Sequence, residues 1–184
     1  MILESWRQVA ESLPVNPFYS RAIPHIEANG RVLDAGAGFG QGARFLREHG
    51  LSVACLEPEP ELAHKLRQDE FPVIEGTFAD APSESFDAVL NVFSLFFVSG
   101  PDFCASWDAI SKSVKHGGIW AGQLLGPNDE WANSGDVSVL ETKDIARLLE
   151  TFEVLDWEEV DRPGRTAWGV AKHWHIHHII ARRT

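Results

Sequence analysis

The chain has 184 residues, 44% of them hydrophobic, which fits one domain that buries roughly 70% of its unfolded surface. It carries 27 acidic and 16 basic residues, so its formal net charge of -11 opposes binding to nucleic acid or to anionic membranes. No apolar run reaches the roughly 20 residues of a transmembrane helix, and the N-terminus lacks a signal-peptide pattern. We therefore expect a cytoplasmic protein, spanning 1–184 as a single domain, that acts on a small molecule.

Strand and helix patterns alternate along the chain. Two short helices are predicted within 1–28, and helical patterns also follow most of the strands. Five apolar segments have the composition of buried parallel strands: 31–34, 52–57, 72–75, 86–92 and 119–125.

The end of the chain has a different pattern. A last helix is predicted at 142–150, and two strand-like segments, 152–160 and 173–181, flank a turn around Pro163, so they should pair antiparallel. The predicted fold class is α/β, with a doubly wound, mostly parallel seven-stranded sheet of the Rossmann-like type and an antiparallel C-terminal strand pair.

A glycine loop joins the first strand to its helix, with Gly36, Gly38, Gly40 and Gly42 alternating along it. Such a loop lets the backbone approach a ligand closely and points free N–H groups at it. Asp34 precedes the loop, where it would repel a pyrophosphate by roughly 4 kcal/mol at 4 Å with an effective dielectric near 20. The acid therefore favours a ligand that carries positive charge.

The segment 32–40, Val-Leu-Asp-Ala-Gly-Ala-Gly-Phe-Gly, resembles the first motif of the class I S-adenosylmethionine-dependent methyltransferases. Four later features follow in the order and spacing of that family: Glu57 and the segments 75–78, 86–93 and 114–119. The segments 122–131 and 172–175 are similar to small bacterial methyltransferases loosely related to the tellurite-resistance type. The resemblance implies that S-adenosylmethionine is the cofactor and that a methyl group is transferred to a small-molecule acceptor.

The resemblance also implies which residues contact the methyl donor. The glycine loop and Asp34 would hold its methionine part, Glu57 would accept both ribose hydroxyls, and Thr77 and Phe78 would flank the adenine, with Asp80 as an alternative adenine contact. The complete predicted set is Asp34, Ala35, Gly36, Gly38, Gly40, Glu57, Thr77, Phe78, Asn91, Val92 and Phe93.

The acceptor site is predicted beyond the fourth strand, where the ligand crevice of an open α/β sheet lies. Tyr19, Phe97 and Trp131 are its candidate residues, and the helices of 1–28 would form a cap over it. Trp168 is a second candidate for a cover, and Trp6 lies on the same N-terminal helices; packing into the core is the alternative for each. The sequence identifies no general base, and the acceptor and the oligomeric state stay open.

Two other classes of function remain. Gly38, Gly40 and Ala43 also fit the G-x-G-x-x-A pattern of NAD(P)-type oxidoreductases, although Asp34 and the single mononucleotide-sized half oppose this reading. A noncatalytic ligand-binding module on the same fold is the third class.

Histidines and cysteines give no metal site. His173, His175 and His177 alternate along one predicted strand, about 7 Å apart, so three in a row should not converge on one ion, and we expect them to be half-buried strand residues together with His178. Cys55 and Cys104 lack metal-site spacing, and both are expected to be buried thiols.

Overall fold

The computed structural model describes residues 2–184, except for the side chains of Ile2, Leu3, Trp6 and Gln8, so the expectation for Trp6 lies outside the described residues. The strands are β1 Arg31–Ala35, β2 Ser52–Glu57, β3 Val73–Glu75, β4 Phe86–Asn91, β5 Val114–Leu125, β6 Phe152–Arg165 and β7 Ala171–Arg183. The α-helices are α1 Ile2–Ala10, α2 Phe18–Ala22, α3 Gln41–Glu48, α4 Pro60–Gln68, α5 Pro101–Ser113 and α6 Thr142–Leu148. No helix within the described residues is long and apolar enough to cross a membrane.

The strands form one sheet in the order β3-β2-β1-β4-β5-β7-β6. The first five are parallel, and β7 pairs antiparallel with both β5 and β6. This confirms the predicted seven-stranded fold class. The strand order reverses between β1 and β4, and at such a point the connections leave in opposite directions and open a crevice at the carboxyl ends of the strands.

The core lies on both faces of the sheet. On one face Leu33 and Trp120 pack in the same cluster as Ile110 of α5. On the other face Val32 packs in the same cluster as Leu46 of α3. Because central strands are covered on both sides, their sequences are apolar almost without interruption.

Three local predictions were wrong. β5 begins at Val114 rather than after Gly118, because residues 115–118 are accommodated as a bulge between the pairs Phe86↔Val114 and Ala88↔Ile119. Pro163 does not mark the turn between the last strands, because it lies in β6, opposite His173. β6 is an edge strand, and an edge strand tolerates a proline, which has no N–H to donate. Cys104 is exposed on α5, whereas Cys55 is buried as expected.

Candidate active site

A cleft with a volume of about 740 Å³ opens at the carboxyl ends of β1, β2 and β4. This volume lies within the roughly 300–1,000 Å³ typical of pockets for small molecules. Its lining residues come from the segments 7–19, 36–42, 57–62, 78, 92–98, 131, 165–168 and 174. The N-terminal segment, the glycine loop and the β6–β7 turn therefore meet over one crevice.

The glycine loop has a backbone that only glycine adopts easily. Gly36, Gly38 and Gly40 have φ angles of 79°, 55° and 79°. A Cβ on Gly36 would lie 2.4 Å from the Cβ of Ser94, so this glycine also lets the segment after β4 approach the loop. We call the part of the cleft lined by Gly36, Ala37, Gly38, Glu57 and Phe78 the loop half.

Glu57 ends β2 beneath the loop half and is only 5% exposed. Its Oε2 accepts a hydrogen bond from Gly38 N–H at 2.8 Å, and its Oε1 accepts one from Glu59 N–H at 3.0 Å. Burial raises the pKa of Glu57, and these two N–H donors oppose the increase. Because a carboxylate offers about four lone-pair positions, each oxygen keeps one for a ligand in the cleft.

Asp34 lies fully buried behind the loop, not in the cleft wall. Tyr19, which does line the cleft, donates its hydroxyl to Asp34 Oδ1 at 2.7 Å. Its ring fits here because residue 42 is a glycine: a Cβ at that position would lie 2.1 Å from Cζ of Tyr19. Oδ2 has no hydrogen-bond partner of good geometry among the described residues. Burial raises the pKa of Asp34 to about 7, with the Tyr19 hydroxyl lowering it, the charge of Glu57 raising it, and the Ala43 N–H lowering it.

Several other residues that were predicted to contact the methyl donor also lie outside the cleft wall. The Thr77 hydroxyl donates to Asp80 Oδ2 at 2.9 Å, so these two polar groups bond to each other. Asn91 is fully buried, where it donates to Ala35 O at 3.4 Å and accepts from Trp120 Nε1 at 3.1 Å. These side chains tie the loop and strands together, whereas Phe78, Val92 and Phe93 line the cleft. Ala35 and Gly40 are absent from its wall.

Phe93 follows β4 in a left-handed conformation, with a φ of 57°. Its N–H donates to Oε1 of the buried Gln123 at 2.9 Å, so Gln123 supports a backbone conformation that is unfavourable for a phenylalanine. Gln123 was not predicted as a site residue, because nothing local to β5 shows that its amide meets the end of β4.

Five aromatic side chains surround the other part of the cleft, and we call it the aromatic chamber: Phe93, Phe97, Trp131, Trp168 and Trp174. Trp131 and Trp168 lie parallel within 7°, with ring centroids 6.1 Å apart. Phe93 and Trp174 stand edge-on to Trp131, at interplanar angles of 82° and 70°. The structure thus brings the predicted residues Phe97 and Trp131 together beside the loop half.

A buried ion pair lies behind the aromatic chamber. The Lys172 side chain is 2% exposed, and its ammonium contacts the Asp129 carboxylate and lies 4.4 and 3.7 Å from the ring centroids of Trp131 and Trp174. Asp129 also accepts from the N–H groups of Trp131 and His175. Burial lowers the pKa of Lys172, and the hydrogen bond to Asp129 opposes this. One signal in the sequence could have indicated this pair: Lys172 alternates with the apolar residues Trp174 and Ile176 along β7.

Comparison with known proteins agrees with this geometry. Residues 33–121 match the protein family described as a methyltransferase domain. These residues run from β1 into β5 and include the glycine loop, Glu57 and Phe78, so this part of the chain is similar to a methyltransferase domain. The match indicates that the chain is an enzyme with S-adenosylmethionine as its cofactor.

Solved structures share the fold at low identity. A 1,6-didemethyltoxoflavin N1-methyltransferase of Burkholderia thailandensis, with bound 1,6-didemethyltoxoflavin and S-adenosylhomocysteine, is 19% identical, with a TM-score of 0.72 over 92% of this chain and 77% of that one. TehB from Haemophilus influenzae is 13% identical, with a TM-score of 0.79 over 92% of this chain and 63% of that one. A TehB-like methyltransferase of Corynebacterium glutamicum is 14% identical, with a TM-score of 0.71 over 100% of this chain and 96% of that one. The search of curated proteins gave no match.

The methyltransferase has a second cavity, of about 640 Å³, next to the cleft. Phe93, Trp174 and Arg165 line both. His178 also lines the second cavity, but its Nδ1 accepts from Gln123 Nε2 at 2.9 Å, because Gln123 Oε1 is already bonded to Phe93 N–H. The neutral ring then carries its proton on Nε2, so His178 offers a donor and no free basic nitrogen.

The side chains of Glu159, His175 and His177 do converge, with one ligand atom of each within 4.8 Å of the others. Glu159 belongs to the neighbouring strand β6, and the spacing of the histidines along β7 alone does not predict this convergence. However, His175 Nδ1 accepts from a backbone N–H, that of Asn128, and His177 Nδ1 accepts from Trp157 Nε1, both at 3.1 Å. Each Nε2 must then hold the proton of a neutral ring, which opposes metal coordination there.

Proposed function

We propose that this methyltransferase binds S-adenosylmethionine in the loop half and transfers its methyl group to a small molecule held in the aromatic chamber. The single observation that carries the proposal is Glu57, whose two oxygens are fixed by backbone N–H groups and still face the cleft. Two adjacent acceptors match a vicinal diol, so the carboxylate fits the ribose hydroxyls. A neighbour in fold holds S-adenosylhomocysteine together with a small-molecule substrate, which supports the same division of the cleft here.

The other contacts to the donor follow from position. The Gly36 to Gly38 backbone faces the methionine part, and the N-terminus of α3 favours its carboxylate. Phe78 presents a ring to the adenine, whereas Thr77 contributes through the loop that it holds with Asp80. Asp34 acts from behind: its carboxylate orients Tyr19 and the start of α3 rather than touching the ligand.

S-adenosylmethionine, when bound, supplies a methyl group on a positively charged sulfur. The aromatic chamber excludes water from the acceptor, and an apolar environment destabilises a localised charge more than the dispersed charge of the transition state. Phe93 and Trp131 align the acceptor, and such alignment can provide several kcal/mol of the rate enhancement. The chain is expected to act through positioning, since the described cleft wall contains no histidine and His178 of the adjoining cavity offers no free basic nitrogen.

We also propose that 1–184 form one methyltransferase domain in which 1–28 act as a cap. Ala10, Leu13 and Tyr19 line the cleft from this segment. Arg7 lines it too and contacts the carboxylate of Glu59, which joins the cap to the segment after β2. Lys65 contacts the carboxylate of Glu11, and Gln41 donates to the carbonyl of Ala10, so the start of the cap is held by surface contacts, whereas Tyr19 is buried. Exposed ion pairs contribute only about 0–1 kcal/mol each, so α1 can open for ligand exchange.

Thermal unfolding with S-adenosylhomocysteine tests the proposal. At 100 times the dissociation constant, the ligand should add about 2.7 kcal/mol to the free energy of unfolding, a shift of several degrees. NADH at the same concentration serves as the control for the oxidoreductase alternative. The absence of a shift at millimolar S-adenosylhomocysteine, or a larger shift with NADH, would contradict the proposal.

A further inference from the structure

The aromatic chamber differs from the loop half in its charge as well as in its side chains. The carboxylates in the cleft wall, within the described chain, are Glu57 and Glu59, and both belong to the end that we assign to the donor. At the chamber end the ionic side chain of the wall is Arg165, whose guanidinium contacts the carbonyl of Gly169 and none of the described carboxylates. We propose that the acceptor is a planar aromatic molecule that reacts as an anion; this inference rests on the proposed function.

The ring geometry indicates a planar acceptor. Trp131 and Trp168 present parallel planes, closed at the edges by Phe93 and Trp174. The 6.1 Å between their centroids falls within the 4.5–7 Å of offset-stacked aromatic pairs, so the two indoles already contact each other. A planar acceptor can stack on the face of Trp168 that lines the cleft.

The buried lysine opposes a cationic acceptor. Aromatic faces attract cations, and a chamber of tryptophans could otherwise hold an ammonium group. Here the Lys172 ammonium already lies against Trp131 and Trp174, at 4.4 and 3.7 Å from their centroids. The Asp129 carboxylate neutralises Lys172, so the pair itself does not attract an anion. The ammonium lies over one face of each of these two rings from behind the chamber, which leaves less of their π surface for a cationic acceptor.

An anionic acceptor also removes the need for a base. Arg165 donates from Nη1 to the carbonyl of Gly169 at 2.8 Å, which leaves its remaining N–H groups for an anionic substituent. The acidic O–H, S–H or N–H of the aromatic molecule loses its proton to solvent before transfer. Its heteroatom lone pair then forms the bond to the methyl carbon while the carbon–sulfur bond breaks and its electrons return to sulfur. The anionic heteroatom and the positively charged sulfur each lose their charge, and no proton moves in that step.

Binding of three simple probes to the enzyme saturated with S-adenosylhomocysteine tests the inference. We expect 2-naphthoate, a planar anion, to bind at least tenfold more tightly than 2-naphthylmethylammonium, a planar cation, or cyclohexanecarboxylate, a non-planar anion, in calorimetry; tenfold is about 1.4 kcal/mol. Equal or tighter binding of either of the other probes, or no binding of 2-naphthoate at millimolar concentration, would overturn the inference.

Two matched pairs of variants locate the probe. Trp168→Leu should weaken 2-naphthoate about three- to tenfold, since one stacking ring is lost, whereas Val170→Ala in the same turn should not. Arg165→Gln should weaken it about two- to fivefold, whereas Arg162→Gln, outside the cleft wall, should have no comparable effect. Equal effects within either pair would show that the probe binds elsewhere.

The same titrations separate this inference from the proposed function. S-adenosylhomocysteine is measured alone first, and failure to bind contradicts the methyl-donor site itself. If it binds normally to the wild type and to Trp168→Leu while 2-naphthoate fails, the donor site stands and the anionic aromatic acceptor is wrong.

Discussion

The two halves of the cleft, proposed here as the donor and acceptor sites, differ in the groups that they offer to a ligand. The loop half uses backbone groups and one buried carboxylate, Glu57, which is itself fixed by two backbone N–H donors. The aromatic chamber uses large rings whose positions depend on the buried pair of Lys172 and Asp129. Backbone contacts suit a donor of one fixed structure, whereas side chains can be exchanged without altering the sheet. The difference indicates that donor and acceptor binding can be changed separately.

Loss of Lys172 is the largest expected disturbance of the chamber. Lys172→Met should lower the free energy of unfolding by about 3–5 kcal/mol, because the Asp129 carboxylate would stay buried without its partner. Urea unfolding measures this, and Lys143→Met provides the control, since Lys143 pairs with Glu141 on the surface and should change stability little. Similar stability of the two variants would show that the chamber does not depend on the pair.

Loss of Glu57 should disturb the loop half nearly as much, but in binding. Glu57→Ala should weaken S-adenosylhomocysteine by roughly 2–3 kcal/mol, since two charge-assisted hydrogen bonds to the ribose are lost. Calorimetry measures the affinity, and Glu61→Ala, an exposed acid on α4, is the matched control. An unchanged affinity in Glu57→Ala would remove the ribose assignment.

Asp34 makes the stability of the loop half depend on pH. Burial raises its pKa from 3.8 to about 7 in the folded chain, so the folded state binds more protons than the unfolded state between these values. Stability from this group is therefore present at low pH and is lost as pH rises towards 7. When the pH is raised from 5 to 8, wild type should therefore lose about 2 kcal/mol of its free energy of unfolding that Asp34→Asn does not lose.

Urea unfolding of the ligand-free chain at both pH values measures that difference. A constant penalty from the asparagine amide cancels in the comparison, because it does not vary with pH. An identical pH dependence in wild type and Asp34→Asn would show that this carboxyl titrates normally in the folded protein.

The same contrast explains what could be predicted from the sequence. The glycine loop and Glu57 end consecutive strands, so their meeting follows from the parallel sheet, and the fold class and most strand bounds were predicted correctly. Asp34 and Asn91 lie in the expected strands, but burial behind the cleft wall is a matter of side-chain packing that spacing does not determine. The chamber joins Phe93, Trp131 and Trp174 from distant segments through the register of β5 and β7, which no local pattern contains.

Truncation of Trp131 is the smallest expected effect on donor binding and tests whether the two halves are separate. Trp131→Ala should leave the affinity for S-adenosylhomocysteine within about threefold, roughly 0.7 kcal/mol, because its ring contacts the chamber residues and Lys172 rather than the glycine loop.

The matched control for Trp131 is Phe78→Ala, which removes an aromatic ring from the loop half of the same cleft. This variant should weaken the donor analogue by about 1–2 kcal/mol, as expected for the loss of a ring stacked on adenine. Calorimetry on both variants gives the comparison directly. If Trp131→Ala loses as much affinity as Phe78→Ala, the donor extends into the aromatic chamber, and the acceptor must then bind elsewhere. The adjoining 640 Å³ cavity beside Gln123 and His178 is then the next candidate.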